Sequence, residues 1–261
     1  MIEMEVKLVT YTPDPLKTLT KATLTSYWDE WNIENIEKIT KKDAEIHIPR
    51  VLSYGHESIL EHINLTFAIE GISIVTLKQI TRHRLMSFTV RSQRYIELDE
   101  NEGYVIPDSI KGKYVSEIID TEEMFGENIE VVHNFEKEFK MLMRRAFWLY
   151  KKMVENGIPR EDARFVLPQA VTTSMTVTMN MREFKHFMGL RMCQRAQWEI
   201  RELAWKMWEE VVKVEELKKI LIWAKVAPRC IQLGYCPERE LMPEGCYIKQ
   251  KEWWKKVESG E

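Results

Sequence analysis

The sequence predicts an α+β fold: a mixed or antiparallel sheet with helices packed on its apolar face, in a single domain over residues 1–261. Two alternating segments and one long amphipathic stretch lead to this reading. In 63–69, Ile63, Leu65, Phe67 and Ile69 face one way while Asn64, Thr66 and Ala68 face the other, the pattern of a half-buried strand. In 171–181, Val171, Thr173, Met175, Val177, Met179 and Met181 share one face, and Thr172, Ser174, Thr176, Thr178 and Asn180 line the other. A Met row of this kind is core material, whereas a row of hydroxyls suits a wet cleft or an interface. Residues 131–156 read as a long amphipathic helix, stopped by Gly157 and Pro159. There is no Gly-x-Gly-x-x-Gly stretch, which argues against a Rossmann dinucleotide site.

The remaining elements follow in order. Residues 3–11 form a first strand, broken by Pro13 and Pro15, and a helix follows to about Trp28. A helix over 41–54 contains Pro49 and ends at Gly55. Ser58 and Glu61 make an S-x-x-E capping box that starts the next helix. Gly71 ends the second strand, and Ser73 caps a helix that runs to Arg82, His83 and Arg84. Pro107 and Asp108 open a helical region interrupted near Gly126. Asn180 leads into a helix that places Arg182, Lys185 and His186 on neighbouring turns. Trp198, Trp205, Trp208 and Val212 form a stripe for core or subunit packing. The tail from Lys249 reads as a surface helix or a frayed end.

Composition narrows the function. A 44% hydrophobic chain with nine Trp has ample core material. A net charge of −3 argues against a general nucleic-acid binder. The first ten residues are too polar for a signal peptide, and no apolar run reaches transmembrane length. A cytoplasmic protein with neither membrane nor nucleic-acid partners is expected. His56 and His62 match no standard ligand spacing, so they read as structural histidines and no metal site is expected. Cys230, Cys236 and Cys246 stand at C-x5-C-x9-C, which is not a usual zinc spacing. With Cys193 they remain open between free thiols, disulfides and a metal site.

Charge concentrates in 79–95, where four arginines stand among apolar residues. A helix ending there carries Gln79, Arg82 and His83 on one face. An extended segment after it puts Ser92 and Arg94 on one side. Such arginines are commonly exposed faces or surface ion pairs. They also form a set of forked cationic donors suited to a phosphate or pyrophosphate.

Arg82-His83-Arg84, seven residues, then Ser92-Gln93-Arg94-Tyr95 resembles the signature of flavin-dependent thymidylate synthases. Other segments match that family in order. They are the His-Glu-x-x-x-Glu-His element at 56–62, Ala163-Arg164-x-x-Leu-Pro, Asn180-x-Arg182 with Leu190-Arg191, and Arg-Ala-Gln-Trp-Glu-Ile-Arg at 195–201. The resemblance implies reductive methylation of dUMP to dTMP. 5,10-Methylenetetrahydrofolate is the carbon donor, and FAD mediates hydride transfer from NADPH. It implies a homotetramer with active sites shared between subunits, and a flavin site that is not of Rossmann type.

The same resemblance assigns residues. FAD is expected at Ser58, Glu61, Arg82, His83, Arg84, Val90, Asn180, Arg182 and His186. The nucleotide is expected at Gln79, Arg82, Val90, Arg91, Ser92, Gln93, Arg94, Arg164 and Arg191. Arg191 is the catalytic residue, stabilising negative charge on the uracil ring; a guanidinium is too weak an acid to serve as a base. Ser92 has no paired base in the sequence and reads as a hydrogen-bonding group. Val90 departs from the polar residue many members carry, so any side-chain role there is lost or moved. Three other readings stay open: a nucleic-acid module using Arg82, Arg84, Arg91, Arg94 and Tyr95; a metal-dependent hydrolase using His56, His62 and His83; and a flavin-binding member without catalysis.

Overall fold

The computed structural model describes residues 3–98, 103–119 and 129–238, together with Glu240, Cys246, Trp253, Lys255 and Val257. Its strands are β1 (Glu5–Tyr11), β2 (Asn64–Ser73), β3 (Met86–Val90), β4 (Tyr114–Ile119), β5 (Ile129–Asn134) and β6 (Thr172–Asn180). Its α-helices are α1 (Pro15–Leu24), α2 (Ile33–Ile36), α3 (Lys41–Ser53), α4 (Ile74–Ile80) and α5 (Phe135–Glu155). They continue as α6 (Arg160–Ala163), α7 (Met181–Arg191), α8 (Trp198–Val212), α9 (Glu215–Trp223) and α10 (Arg229–Leu233). Two compact units emerge: a larger one from 4–70, 78–89 and 175–261, and a smaller one built mainly from 71–77 and 90–174.

The larger unit carries most of a four-stranded sheet of order β1-β2-β6-β3. The alternation read from the sequence is the cause: Leu65, Phe67 and Ile69 of β2 and Met175, Val177 and Met179 of β6 are buried. On the polar face the Thr66 and Thr178 hydroxyls meet at 2.9 Å, a cross-strand pair. β1 runs antiparallel to β2, with Leu8 opposite Phe67 and a register shift before Thr10. As an edge strand it offers unpaired amides. The Leu8 amide is satisfied by the Glu210 carboxylate of α8 at 3.0 Å.

Two helices bury the apolar face. Phe184 of α7 stacks on Phe67 with ring centroids 5.8 Å apart, and both are fully buried. In α8, Ile200, Leu203, Ala204, Met207 and Val211 are fully buried. Trp198, Trp205 and Val212 of the expected stripe are only half-buried, because the buried arc lies one position to the side. Trp205 and Trp208 instead pack on Trp253. α7 starts where β6 ends: Asn180 Oδ1 accepts the Glu183 amide at 2.9 Å, an N-cap. Gly189 lets α10 close on α7. A Cβ at Gly189 would lie 2.8 Å from Gln232 Nε2. That amide is held by the carbonyls of Ala227 and Lys185.

In the smaller unit α5 supplies the core. Met143, Phe147 and Tyr150 pack with Leu98, Ala163 and Val171. Gly157 ends the helix region with φ 84°, a left-handed conformation favoured by glycine.

The structure corrects several local expectations. α4 ends at Ile80, so Arg82 and His83 lie in a turn and not on a helix face with Gln79. β3 ends at Val90, so Ser92 and Arg94 do not share a strand face. The Ser92 hydroxyl accepts the Arg94 amide at 3.2 Å and its carbonyl accepts the Ile96 amide at 3.2 Å, which turns the chain. No capping box forms at Ser58 and Glu61. Residues 57–62 are a 3-10 helix, and the Glu61 carboxylate pairs with Arg182. Gly71 does not stop β2, which continues to Ser73. The helical region expected after Pro107 is a short 3-10 turn followed by the antiparallel pair β4–β5. Its β-branched content outweighs the helical reading of 131–134, and α5 therefore starts at Phe135. α1 ends at Leu24, short of Trp28. Gly126 lies outside the described residues, as does the tail from Lys249 apart from Trp253, Lys255 and Val257.

Truncating Phe184 leaves a void against Phe67. Phe184→Ala is expected to destabilise by about 3–5 kcal/mol, read from the urea midpoint. Ile46→Ala on α3, where Ile46 is 64% exposed, should stay within about 0.5 kcal/mol.

Candidate active site

The Arg-rich turn at 81–85 sorts its side chains. The His83 amide donates to the Ile80 carbonyl at 3.0 Å, which reverses the chain after α4. His83 then points inward, its side chain 5% exposed, while Arg82 and Arg84 are exposed. Among the described residues no carboxylate pairs with Arg82 or Arg84. Two partners hold His83, the buried Glu183 and the half-buried Arg191. Its Nδ1 lies 3.1 Å from Glu183 Oε1, and its Nε2 accepts from Arg191 Nε at 3.2 Å. Phe187 packs edge-on to the imidazole at 4.9 Å, and exposed His186 lies beyond at 5.9 Å.

Burial pushes the His83 imidazole below its usual range, against the hydrogen bond to Glu183, and the Arg191 charge adds to the shift. The ring is therefore neutral at pH 7. Burial also lowers Arg191, with the Arg82 charge next in effect. Arg191 closes the last turn of α7, where the helix dipole favours a cation. Two like charges, Arg82 and Arg191, thus share one region. Among the described residues neither has a carboxylate partner. That set of donors fits an anionic or strongly polar ligand.

Around this centre, Arg182 pairs with Glu61, and Lys185 with Glu57, linking α7 to the 3-10 helix. A cavity of about 670 Å³ is lined by Arg50, Tyr54, His56, Ser58 and His62 among others. Ser58 is exposed there. Asn180 spends its carbonyl on the α7 cap. Gln79 Nε2 donates to Gln197 Oε1 at 3.4 Å, and Gln197 in turn caps α8 through the amides of Glu199 and Ile200.

The smaller unit brings together a second set. Arg94 Nε donates to the Glu161 carboxylate at 2.7 Å, and Arg164 Nε to the Glu161 carbonyl at 3.0 Å. Arg94 also lies over the Tyr95 ring. The Arg94–Glu161 pair is about half exposed, so it contributes little stability and exchanges readily for another anion. Ser92 and Gln93 are half-buried in the adjoining turn. The Arg91 amide donates to the Ser174 carbonyl at 2.9 Å, and Val90 is half-buried beside it.

Two residues escaped the sequence reading. Glu183 sits three positions after the Asn180 cap, which marks it only as a first-turn acid. Nothing in the pattern says that it is buried. Gln197 lies within the Arg-Ala-Gln-Trp run but had no assigned partner. The four cysteines are free thiols of intermediate exposure. Burial raises Cys230 and Cys246, and neighbouring cysteines add to both shifts. Among the described residues no cluster of His, Cys, Asp or Glu is arranged to hold a metal ion, and no helix is long and apolar enough to cross a membrane.

This combination of sheet and helices is shared with solved nucleotide-binding proteins. The UMP/dUMP methylase PolB from Streptomyces cacaoi, bound with 5-Br dUMP, superposes with a TM-score of 0.66 at 22% identity. The match covers 87% of this chain and 97% of PolB. The fold class is thus that of these methylases. A family model described as thymidylate synthase complementing protein matches residues 7–215. Flavin-dependent thymidylate synthases from Pyrococcus horikoshii and Thermococcus kodakarensis are 56% and 55% identical. Those matches cover 97% and 98% of this chain and 98% of each relative. The chain belongs to the flavin-dependent thymidylate synthase family, and it is an enzyme of that family.

The neutral, buried His83 carries a pH signature. Its folded pKa lies below the ordinary value of 6.5. Below that pH the unfolded chain binds a proton that the folded protein resists. Stability should therefore fall as pH drops from about 6.5 towards the folded pKa, with a slope of at most about 1.4 kcal/mol per pH unit from this group. Urea midpoints between pH 7 and 5 should show this slope, and His83→Gln should flatten it.

Proposed function

We propose that this enzyme converts dUMP to dTMP by reductive methylation, with 5,10-methylenetetrahydrofolate as carbon donor and hydride delivered from NADPH through FAD. The observation that carries this reading is the state of Arg191. Its Nε is fixed by neutral His83, and among the described residues its two terminal nitrogens have no hydrogen-bond partner. A forked donor held in this way can stabilise charge developing on the uracil ring.

The donors at the turn suit FAD. Arg82 and Arg84, without a carboxylate partner among the described residues, offer guanidiniums to its pyrophosphate, with Ser58, Glu61, Arg182, His186 and Asn180 around the remainder and Val90 contributing backbone and packing. Bound FAD supplies the hydride chemistry; the protein supplies orientation and electrostatics. Arg94 and Arg164 provide cations for the nucleotide phosphate, with Ser92, Gln93, Arg91 and Gln79 as hydrogen-bonding groups. Arg94 must then exchange Glu161 for phosphate, an anion that accepts the same fork. Residues spread from Ser58 to Arg191 with no Gly-rich cradle suit a flavin shared between subunits of a homotetramer. On this reading residues 1–261 act as one cytoplasmic catalytic domain.

Two measurements test the proposal. The purified protein should show FAD absorption, and Arg82→Ala should lose flavin on dialysis; full retention would remove Arg82 from the flavin site. In single-turnover oxidation of the reduced enzyme with dUMP and methylenetetrahydrofolate, Arg191→Ala should slow the saturated rate by about 100- to 1000-fold. Nucleotide affinity should change little, since Arg94 and Arg164 remain. Lost binding with an unchanged saturated rate would make Arg191 a phosphate clamp.

A further inference from the structure

Arg191 is one end of a chain of contacts that begins two helical turns earlier. Glu183 stands in the first turn of α7 and Arg191 at its end, eight residues on, or roughly 12 Å along the axis. They cannot touch directly. His83, entering from the turn after α4, fills the gap and contacts both. The side chains of Glu183 and His83 are 6% and 5% exposed, so water cannot substitute for either partner.

The partners dictate the tautomer of His83. An ionised carboxylate only accepts, so Nδ1, facing Glu183 Oε1, carries the proton. A guanidinium only donates, so Nε2, facing Arg191 Nε, presents its lone pair. Both ends demand the same neutral form. The reverse tautomer would set an N–H against Arg191 and leave a lone pair against a carboxylate. Phe187 packs on the imidazole, and the imidazole engages Nε, so rotation of the Arg191 guanidinium is restricted and one direction of its terminal fork is favoured.

We infer that Glu183 is a positioning residue for Arg191, acting by holding His83 in the Nδ1–H tautomer. The inference rests on the catalytic reading of Arg191 given above. It assigns to a carboxylate that is 6% exposed and faces His83 a role beyond the capping turn in which it sits.

The test begins with the wild-type protein. Nitrogen-15 NMR of labelled histidine should show His83 protonated at Nδ1 and unprotonated at Nε2. A spectrum of the Nε2–H form overturns the inference outright, with no variant needed. Next, Glu183→Gln removes the charge at nearly constant volume. It should raise the Nε2–H population and slow the saturated single-turnover rate by ~10- to 100-fold, the scale on which orienting partners act. Nucleotide affinity should stay within about twofold of wild type, and Glu183→Asp should recover part of the rate because it keeps the charge. The decisive comparison repeats Glu183→Gln in the Arg191→Ala background. A residue that works through Arg191 has no further effect there, whereas one that merely supports packing slows both backgrounds equally. Equal slowing, or an unchanged tautomer in Glu183→Gln, overturns the inference. Failure of the catalytic reading looks different: Arg191→Ala would then leave the rate intact while Glu183→Gln still shifts the His83 spectrum.

Discussion

Taking a carboxylate out of water costs several kcal/mol unless groups inside the protein replace the lost solvation. Glu183, with a side chain 6% exposed, is the point where that cost is met. The first turn of α7 supplies part of the answer through its dipole, and the His83 N–H supplies the rest. The turn at 81–85 delivers that N–H inward while Arg82 and Arg84 stay exposed, and the same imidazole engages Arg191. The cap by Asn180 sets where α7 begins and so where Glu183 lies in the sheet's shadow. One buried acid thus ties the end of β6, the turn after α4 and both ends of α7 into one arrangement.

The two arginine groups illustrate different uses of the same side chain. Arg191 is half-buried, held by a neutral partner and close to another cation. Arg94 is exposed and neutralised by a carboxylate it can release. The first geometry keeps a guanidinium aimed and unquenched, as charge stabilisation requires. The second keeps a cation available for a mobile dianion at small cost.

Much of this was legible in the sequence, for identifiable reasons. β2 and β6 announced themselves because strict alternation has only one physical reading when one face is apolar. The stops at Gly157 and the cap at Ser73 were legible because they depend on backbone freedom and a local hydroxyl. The motif residues Arg82, His83, Arg191 and Arg94 were read from resemblance, and their burial was not. Whether an arginine turn faces in or out depends on what it meets across the fold, and His83 meets a residue 100 positions away. The paired strands β4 and β5 were missed because Pro107 and Asp108 mimic a helix start. Ser58 and Glu61 failed as a capping box for a similar reason. Arg182, 121 positions distant, takes the carboxylate the box required.

The four thiols have a practical consequence for anyone handling the molecule. Only the deprotonated form of cysteine attacks electrophiles or peroxide. Burial and neighbouring sulfurs keep Cys230 and Cys246 protonated at neutral pH. These positions are therefore poor targets for alkylating labels and slow to oxidise. A spectroscopic tag attached through sulfur is therefore better aimed at positions other than Cys230 and Cys246.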